Sequence, residues 1–265
     1  EDGIRDCLLS RGLGDVYKRQ GQSVRAVAAA SDEEGGFLVV ASETKCVTCG
    51  APLVADGVAA AVTLASGRVV LAGGGGDLAE YAADLREQTR RCSPAAHAQR
   101  ALARVGDAVI AGSVDVVATW RAGRRVASLR LADADALNQR LTAAAAWDAD
   151  GLSYVVGDSA GALRVVSQNR VVATLNWDGA PVCAAARAPF DDADLVIAGL
   201  STGTIAMWAL RGTGTSLALA VAPHAAGVSA LAARAAGSDG VLIVSGGDDA
   251  KIATVAVRRL SLIHI

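Results

Sequence analysis

The stretch DLVIAGLSTGTIAMW, from Asp194 to Trp208, contains the pattern that decides the fold. A β-branched run leads to a small residue and Gly199, a few turn-forming residues follow, and a second apolar run ends in Trp208. β-branched residues favour strands, and Gly, Ser and Thr favour the tight turn between antiparallel strands. The stretch therefore predicts a β-hairpin.

The same pattern occurs five times along the chain. The other four copies are RVVLAGGGGDLAEY (68–81), DAVIAGSVDVVATW (107–120), LSYVVGDSAGALRVV (152–166) and VLIVSGGDDAKIATV (241–255). The glycines that follow the first apolar runs are Gly73, Gly112, Gly157, Gly199 and Gly246, and they are 39 to 47 residues apart. A period of about 40 to 45 residues is typical of one four-stranded propeller blade.

Each copy is flanked by further segments of strand character. GVAAAVTL (57–64), RLTAAAAW (140–147), APVCAAAR (180–187) and GVSALAAR (227–234) precede copies, and RVASLRL (125–131), VVATLNW (171–177) and SLALAVA (216–222) follow them. Four strands per period predict an all-β fold, an incomplete β-propeller of about five to six blades. A doubly wound α/β fold would need long amphipathic helices, and the only candidate, Leu78 to Arg91, overlaps a repeat.

The two ends of the chain have a different composition from the rest. Residues 1–20 can be back-translated to a sequencing flow-cell primer followed by a transposase-type library adaptor, and residues 260–265 to the reverse complement of the same adaptor end. We therefore expect both segments to be adaptor-derived and leave them out of the fold prediction. The predicted propeller domain is residues 21–259.

At these residues the chain resembles WD40 repeats. Trp120 and Trp208 occupy the family's usual tryptophan position, and His224 precedes a first strand where the family often has Gly-His. In this resemblance the five repeat glycines, both tryptophans and His224 have structural roles. Neither tryptophan is followed by Asp, so the polar network that ties regular WD40 blades together is expected to be largely absent.

A narrower resemblance lies at the C-terminal end of the repeats. The stretch 194–255 is similar to the C-terminal region of the large WD-repeat auxiliary subunit that partners a tRNA anticodon-loop 2′-O-ribose methyltransferase. The matching residues are His224, Gly227, Val228 and Leu231. Ser229 and Ala230 replace the family's Asn and Ser. This resemblance implies a non-catalytic subunit with a methyltransferase as protein partner and tRNA as a second partner.

Arginines form the most distinctive candidate site. Arg121, Arg124 and Arg125 fill the turn WRAGRR, and propeller loops gather on two faces, where a basic patch can contact phosphates. Arginine is also far commoner than lysine throughout the chain, which favours a coding bias instead. We predict these three residues as an RNA- or partner-binding site.

Metal, cofactor and catalytic sites are not predicted. Cys46 and Cys49 have the spacing of a zinc half-site, but a second pair is missing. Outside the end segments only His97 and His224 could serve a nucleophilic triad, and His224 is explained by the repeat. We therefore predict a protein that is not an enzyme.

Composition leaves two function classes open. The net charge is −2 with or without the end segments, so it gives no general attraction to nucleic acid or membranes. No apolar run is long enough to span a bilayer, and the few cysteines favour a reducing compartment, so a cytoplasmic location is expected. The hypotheses are the tRNA methylation subunit and a general WD40 scaffold for protein–protein interactions without an RNA role.

Overall fold

The computed structural model describes thirteen segments of the chain. They are residues 24–32, 35–42, 46–48, 52–53, 58–73, 76–82, 88–92, 101–114, 116–131, 140–146, 152–212, 214–237 and 240–258. All regular secondary structure within these segments is β-strand, which confirms the all-β prediction for the part of the chain described. The two predicted adaptor segments, 1–20 and 260–265, lie outside the described residues.

Three four-stranded sheets come from the first half of the chain, each with its strands in sequence order. Sheet 1 contains β1 (Val24–Asp32), β2 (Gly35–Ser42), β3 (Cys46–Thr48) and β4 (Pro52–Leu53). Sheet 2 contains β5 (Val58–Thr63), β6 (Val69–Gly73), β7 (Leu78–Tyr81) and β8 (Gln88–Cys92). Sheet 3 contains β9 (Ala101–Val105), β10 (Ala108–Gly112), β11 (Val116–Arg121) and β12 (Arg124–Arg130). The helix candidate over 78–91 thus contains two strands, in agreement with the repeat.

The second half contributes two further four-stranded sheets and one with three described strands. Sheet 4 contains β13 (Leu141–Ala146), β14 (Tyr154–Asp158), β15 (Ala162–Ser167) and β16 (Arg170–Asn176). Sheet 5 contains β17 (Val182–Phe190), β18 (Ala193–Leu200), β19 (Ile205–Arg211) and β20 (Gly214–Val221). Sheet 6 contains β21 (Val228–Ala235), β22 (Gly240–Gly247) and β23 (Ile252–Arg258).

By its internal contacts the chain divides into two compact units. One comprises Glu1–Ser113 and Ala118–Ala127, and the other comprises Val114–Val117 and Ser128–Ile265. The first unit holds sheets 1 and 2 and most of sheet 3, and the second holds sheets 4 to 6.

A β-bulge marks the start of five of the sheets. The pairing between first and second strands shifts by one residue after Val24, Val58, Leu141, Val182 and Val228. The residue beyond the shift is always alanine, and it pairs with Gly157, Gly199 and Gly246 in sheets 4, 5 and 6. In sheet 2 the partner at this position is Ala72, one residue before the predicted Gly73. A run of four glycines hid this register from the sequence pattern.

A tight turn joins the second and third strands in the same way in four sheets. The N–H donors are Gly76, Gly161, Gly203 and Ala250, and each bonds the carbonyl three residues earlier at 3.1 to 3.3 Å. All four have positive φ, between 59° and 94°. Glycine is the residue that adopts this conformation without steric cost, so the turn chemistry predicted from sequence matches the backbone.

Each unit has its own apolar core between neighbouring sheets. In the first unit Leu64, Val70 and Leu78 of the sheet 2 region pack against Val109 and Ala111 of sheet 3. In the second unit sheet 5 is buried on both faces, against sheet 4 on one side and sheet 6 on the other. Two neighbouring sheets cover both faces of a strand, so β18 lacks the usual alternation and is almost continuously buried.

Candidate functional site

The three predicted arginines lie at one hairpin tip. β11 ends at Arg121 and β12 begins at Arg124, so Ala122 and Gly123 form a two-residue turn. Their φ values of 50° and 72° are those of a type I′ turn, whose twist matches that of the flanking strands. Ala122 carries a steric cost of about 1 kcal/mol in this conformation. The turn places the arginines on both sides of the tip.

All three side chains are exposed, and their surroundings differ from those of the arginines that pair with carboxylates. Within the described residues, four such ion pairs occur: Arg68 with Glu80, Arg164 with Asp158, Arg187 with Asp194 and Arg211 with Asp192. Arg124 and Arg125 form no ion pair with any residue the structure describes, and Arg121 does take part in an interaction. The hairpin therefore presents positive charge that its described neighbours do not fully neutralise.

A small pocket lies beside this hairpin. It encloses about 340 Å³, including the part open to solvent. Its lining residues are Leu64, Val70, Leu78, Glu80, Asp107, Val109, Trp120, Ala122 and Gly123. Most of the wall is apolar, and Arg68 lies 2.5 Å from the buried Glu80 carboxylate. The hydroxyl and backbone N–H of Ser66 hold the pKa of Asp107 below its usual value. Glu80 thus has an ion-pair partner in Arg68, and Asp107 accepts the backbone N–H of Ser66 at 2.9 Å.

His224 belongs to a polar network inside sheet 6. Its Nδ1 lies 3.0 Å from Asp249 Oδ1, and its Nε2 lies 2.8 Å from Ser245 Oγ. Asp249 also accepts hydrogen bonds from the backbone N–H groups of Ala225 and Lys251, each at 3.1 Å. These backbone donors, Ala225 first, and the His224 ring hold the pKa of Asp249 below its usual value. The network ties the loop before β21 to the turn after β22.

The order of contacts in this network is that of a Ser-His-Asp triad. A nucleophilic serine must reach a substrate, but Ser245 is 1% exposed and His224 is 5% exposed. The pocket described above has neither residue in its lining. A Cβ at Gly247 would lie 2.4 Å from His224 Nδ1, so the histidine is packed closely against backbone. The geometry supports a structural role in fastening the loop.

This network is the exception to one expectation from the sequence. The polar WD40 network was expected to be largely absent, yet sheet 6 has a histidine, an aspartate and a serine in mutual contact. In sheet 5 the register places Ala198 and Thr202 where sheet 6 has Ser245 and Asp249, so no such network forms there. The stretch that resembles the methyltransferase subunit includes the turn Ser-Gly-Gly-Asp-Asp, and the second Asp of this turn is the partner of His224.

A second buried polar cluster was also missed in the sequence. Asp158, which follows Gly157, is fully buried in sheet 4. Its Oδ1 accepts the backbone N–H groups of Ala160 and Ala162, both at 2.9 Å, and its Oδ2 pairs with Arg164. A carboxylate that accepts several hydrogen bonds and one ion pair can be buried at acceptable cost. This cluster stabilises the tight turn of sheet 4.

Two of the repeat glycines, Gly157 and Gly199, lie in the packing between sheets. A Cβ at Gly157 would lie 2.3 Å from Val182 Cγ1, and one at Gly199 would lie 2.5 Å from Val228 Cγ1. Each of these glycines therefore makes room for the first residue of the next sheet. Gly112 is buried at the end of β10.

Both tryptophans lie against the inter-sheet cores. Trp208 is buried in the core shared by sheets 4 and 5. Trp120 packs against the core of sheets 2 and 3, and its indole N–H is buried with no acceptor among the described residues. The predicted hairpin and His224 belong to different compact units.

Neither a metal cluster nor a membrane-spanning helix is found in the described part of the chain. No group of three metal-ligating side chains occurs there, and Cys49 lies outside it. Cys183 is partly buried, and this burial, followed by the charge of Asp248, raises the pKa of its thiol. Among the described residues no helix has the length and apolar character needed to cross a bilayer.

Comparison with known proteins gives information on the fold alone. No family model matches the chain, and no curated protein does either. Among solved structures, 1413 chains are similar to it. One is the crystal structure of the computationally designed Ika8 protein, with a TM-score of 0.64 and 20% sequence identity. The match covers 87% of this chain and 70% of that chain, so the fold of this chain is similar to that of Ika8 over most of its length.

Proposed function

We propose that this chain is part of a WD40-type β-propeller and acts as a non-catalytic subunit in tRNA ribose 2′-O-methylation. In this role it holds a methyltransferase partner and contributes a basic surface to which tRNA binds, in the cytoplasm. The succession of antiparallel sheets, five of which start with the same β-bulge, supports the blade assignment. Function cannot be carried over from a fold, so the proposal depends on the site.

The observation that carries the proposal is the arginine hairpin. Arg121, Arg124 and Arg125 are exposed on both sides of a two-residue turn, and the latter two lack a carboxylate among the described residues. Guanidinium groups bind phosphate oxygens in a bidentate manner and so suit an RNA backbone. A type I′ turn keeps the strands on both sides in register, which fixes the spacing of the charges.

The surroundings of His224 give secondary support. The residues that resemble the tRNA methyltransferase subunit, His224 to Leu231, form the ordered entry into sheet 6, where His224 is fastened by Asp249 and Ser245. The resemblance therefore falls on residues with a defined structural role. A structural role of His224 is compatible both with the WD-repeat subunit of the tRNA methyltransferase and with WD40 repeats in general.

The alternative proposal is a general WD40 scaffold that binds proteins only. The net charge of −2 favours it, because the arginines as a whole are balanced by carboxylates. In that case the hairpin would contact an acidic protein surface instead of RNA. The two proposals differ in one measurable property, the salt dependence of tRNA binding.

The test is tRNA binding by the purified chain, with and without a 2′-O-ribose methyltransferase, over a range of salt concentrations. We expect the triple change Arg121→Ala, Arg124→Ala and Arg125→Ala to weaken binding. We also expect the slope of log K against log salt to fall by about 2 to 3, since each phosphate contact contributes about 0.7 to 0.9.

A charge-matched control is available in the second unit. Arg130, Arg140 and Arg170 are exposed arginines outside the hairpin tip, and their triple change to Ala removes the same charge. We expect this control to reduce binding and slope much less. Equal losses in both variants would mean non-specific attraction, and no tRNA binding by the chain or by the pair would leave the general scaffold as the function.

A further inference from the structure

Sheet 6 has an apolar face that no described residue covers. The register places the residues of this outer face side by side on the three strands: Ala230, Ala232 and Arg234 on β21, Leu242 and Val244 on β22, and Ile252, Thr254 and Ala256 on β23. Ile252 is 80% exposed and Val244 is 39% exposed. Exposed contiguous apolar faces on sheets mark interaction surfaces.

The corresponding face of sheet 5 shows what such a face contacts. The tight turns align the two sheets, so Ile197 takes the place of Val244, and Ile205 takes the place of Ile252. Both isoleucines are fully buried, and they lie in the core that sheet 5 shares with sheet 6. In sheet 5 this face is therefore an inter-sheet interface.

The repeat glycines show the same difference between sheet 6 and the two sheets before it. Gly157 and Gly199 each accommodate the valine that opens the next sheet, Val182 and Val228. At Gly246 a Cβ would meet only Ala230 Cβ, at 3.8 Å. The space beside the glycine, here called the notch, receives a valine in sheets 4 and 5 but is filled by no described residue in sheet 6. The outer face of sheet 6 thus retains the form of a docking site.

The strand that fits this notch has a defined pattern. β17 and β21 both begin with a valine one step before the β-bulge, and a small residue follows beyond it. β1 has the same arrangement, since Val24 pairs before the shift and Ala26, Ala28 and Ala30 follow at every second position. β5, with Val58 and Ala60, has it too, but β5 packs against β1 and β2 in its own unit. β1 is thus the remaining first strand that matches the notch by register and by residue size.

Charge supports the same pairing. The first strands of neighbouring sheets start at the same end of their sheets. Val228, the first residue of β21, packs on Gly199, and Gly199 pairs with Ala184 near the start of β17. The far end of sheet 6 carries Arg234 and Arg258, which form no ion pair with a described residue. In sequence, β1 ends at Asp32 and is followed by Glu33 and Glu34. Docking in this orientation brings opposite charges together.

We propose that the outer face of sheet 6 binds the first strand of sheet 1 of a second copy of this chain. The valine position of β1 lies over Gly246, and the acidic end of β1 lies near Arg234 and Arg258. Such a contact is heterologous, because two different surfaces meet, and it generates rings or open chains of copies. This inference is independent of any role in RNA binding.

The first test is the mass of the full chain in solution by light scattering over a range of concentrations. We expect the mass to rise from 26.6 kDa towards multiples of it. Val244→Lys places a charge on the outer face and should keep the chain monomeric. Val172→Lys is the matched control, since Val172 is equally exposed at 39% but lies on β16, and it should associate like the parent chain.

The second test identifies the strand that docks. Arg234→Glu and Asp32→Lys should each weaken association about tenfold, and the chain carrying both changes should regain most of the lost affinity. A parent chain that is monomeric at all concentrations would overturn the proposal. So would association that Val244→Lys leaves intact, or association that is lost in Val244→Lys but is indifferent to Asp32→Lys.

Discussion

Sheets 5 and 6 share one backbone register but are stabilised differently. Sheet 5 is buried on both faces, and its second strand is almost entirely inaccessible to solvent. Described residues cover only one face of sheet 6, and this sheet has the His224, Asp249 and Ser245 network that sheet 5 lacks. The same repeat can therefore be held together by apolar burial alone or by burial and a polar clamp.

The tight turns show the same contrast. Gly203 of sheet 5 has a φ of 86°, and a Cβ there would lie 2.3 Å from the carbonyl oxygen of His224. The equivalent residue of sheet 6 is Ala250, with a φ of 59°. Where a following sheet packs against the turn, glycine is required for two reasons: it adopts the positive φ, and it has no Cβ that would clash with the neighbouring backbone. Where none does, alanine is accommodated at a modest conformational cost.

The largest effect is expected for Gly203→Ala. The new Cβ would clash with backbone and would be held in the left-handed region, so we expect a loss of about 3 to 5 kcal/mol in the free energy of unfolding. The control is Gly212→Ala, in the same sheet, where φ is 58° and nothing lies within 4 Å of a Cβ. It should lose only about 1 kcal/mol. Urea denaturation followed by circular dichroism measures both, and equal losses would contradict the described contact with His224.

The next effect separates the covered and uncovered faces. Ile197→Ala removes a fully buried side chain from the core between sheets 5 and 6 and should cost about 3 kcal/mol. Val244→Ala, at the equivalent position of sheet 6, should cost less than about 1 kcal/mol in dilute solution. The comparison uses the same denaturation assay. A similar cost at both positions would mean that the outer face of sheet 6 is covered within a single chain.

The smallest effect concerns the polar clamp and depends on pH. The N–H of Ala225, with the other donors, favours the ionised form of Asp249, so the folded chain has a pKa below the ordinary 3.8. The stability contributed by Asp249 is therefore present above that value and is lost as the pH falls through the folded pKa. Asp249→Asn should lower the melting temperature near neutral pH and flatten its decline below about pH 4.

Sheet 5 supplies the control for this prediction. Thr202 occupies the position of Asp249 and bonds Thr204, so Thr202→Ala should leave the acid dependence of the melting temperature unchanged. The measurement is the melting temperature of Asp249→Asn and of Thr202→Ala at several pH values between pH 3 and pH 7. An unaltered pH profile in Asp249→Asn would show that the carboxylate is not needed to fasten the loop.

Much of the fold was predictable from the sequence because the repeat is local. Strands such as β14 and β18 are runs of β-branched residues between turn-forming residues, and a period of about 40 to 45 residues indicates four strands to a sheet. The hairpin at Arg121 to Arg125 was also predictable, because Ala-Gly between two strand segments indicates a tight turn. Whether that hairpin binds RNA remains a prediction.

The polar clusters and the exact register were not predictable from these patterns. Nothing local indicates that His224 reaches Asp249, 25 residues later, or that Asp158 is buried with Arg164. The glycine run in sheet 2 allowed Gly73 to be taken for the residue that the pairing assigns to Ala72. These features depend on which strands pair and on the β-bulge that offsets them.

By itself, the sequence determined the strands, their turns and their repeat, since alternation, β-branching and turn residues act through the local backbone. Only the tertiary structure decided which glycines face a neighbouring sheet, which polar groups find partners, and which apolar face has no described cover. Gly199 and Gly246 look alike in sequence, yet Val228 fills the space beside the first and nothing described fills it beside the second. That difference arises because packing is a property of two surfaces in contact, and a repeat specifies only one of them.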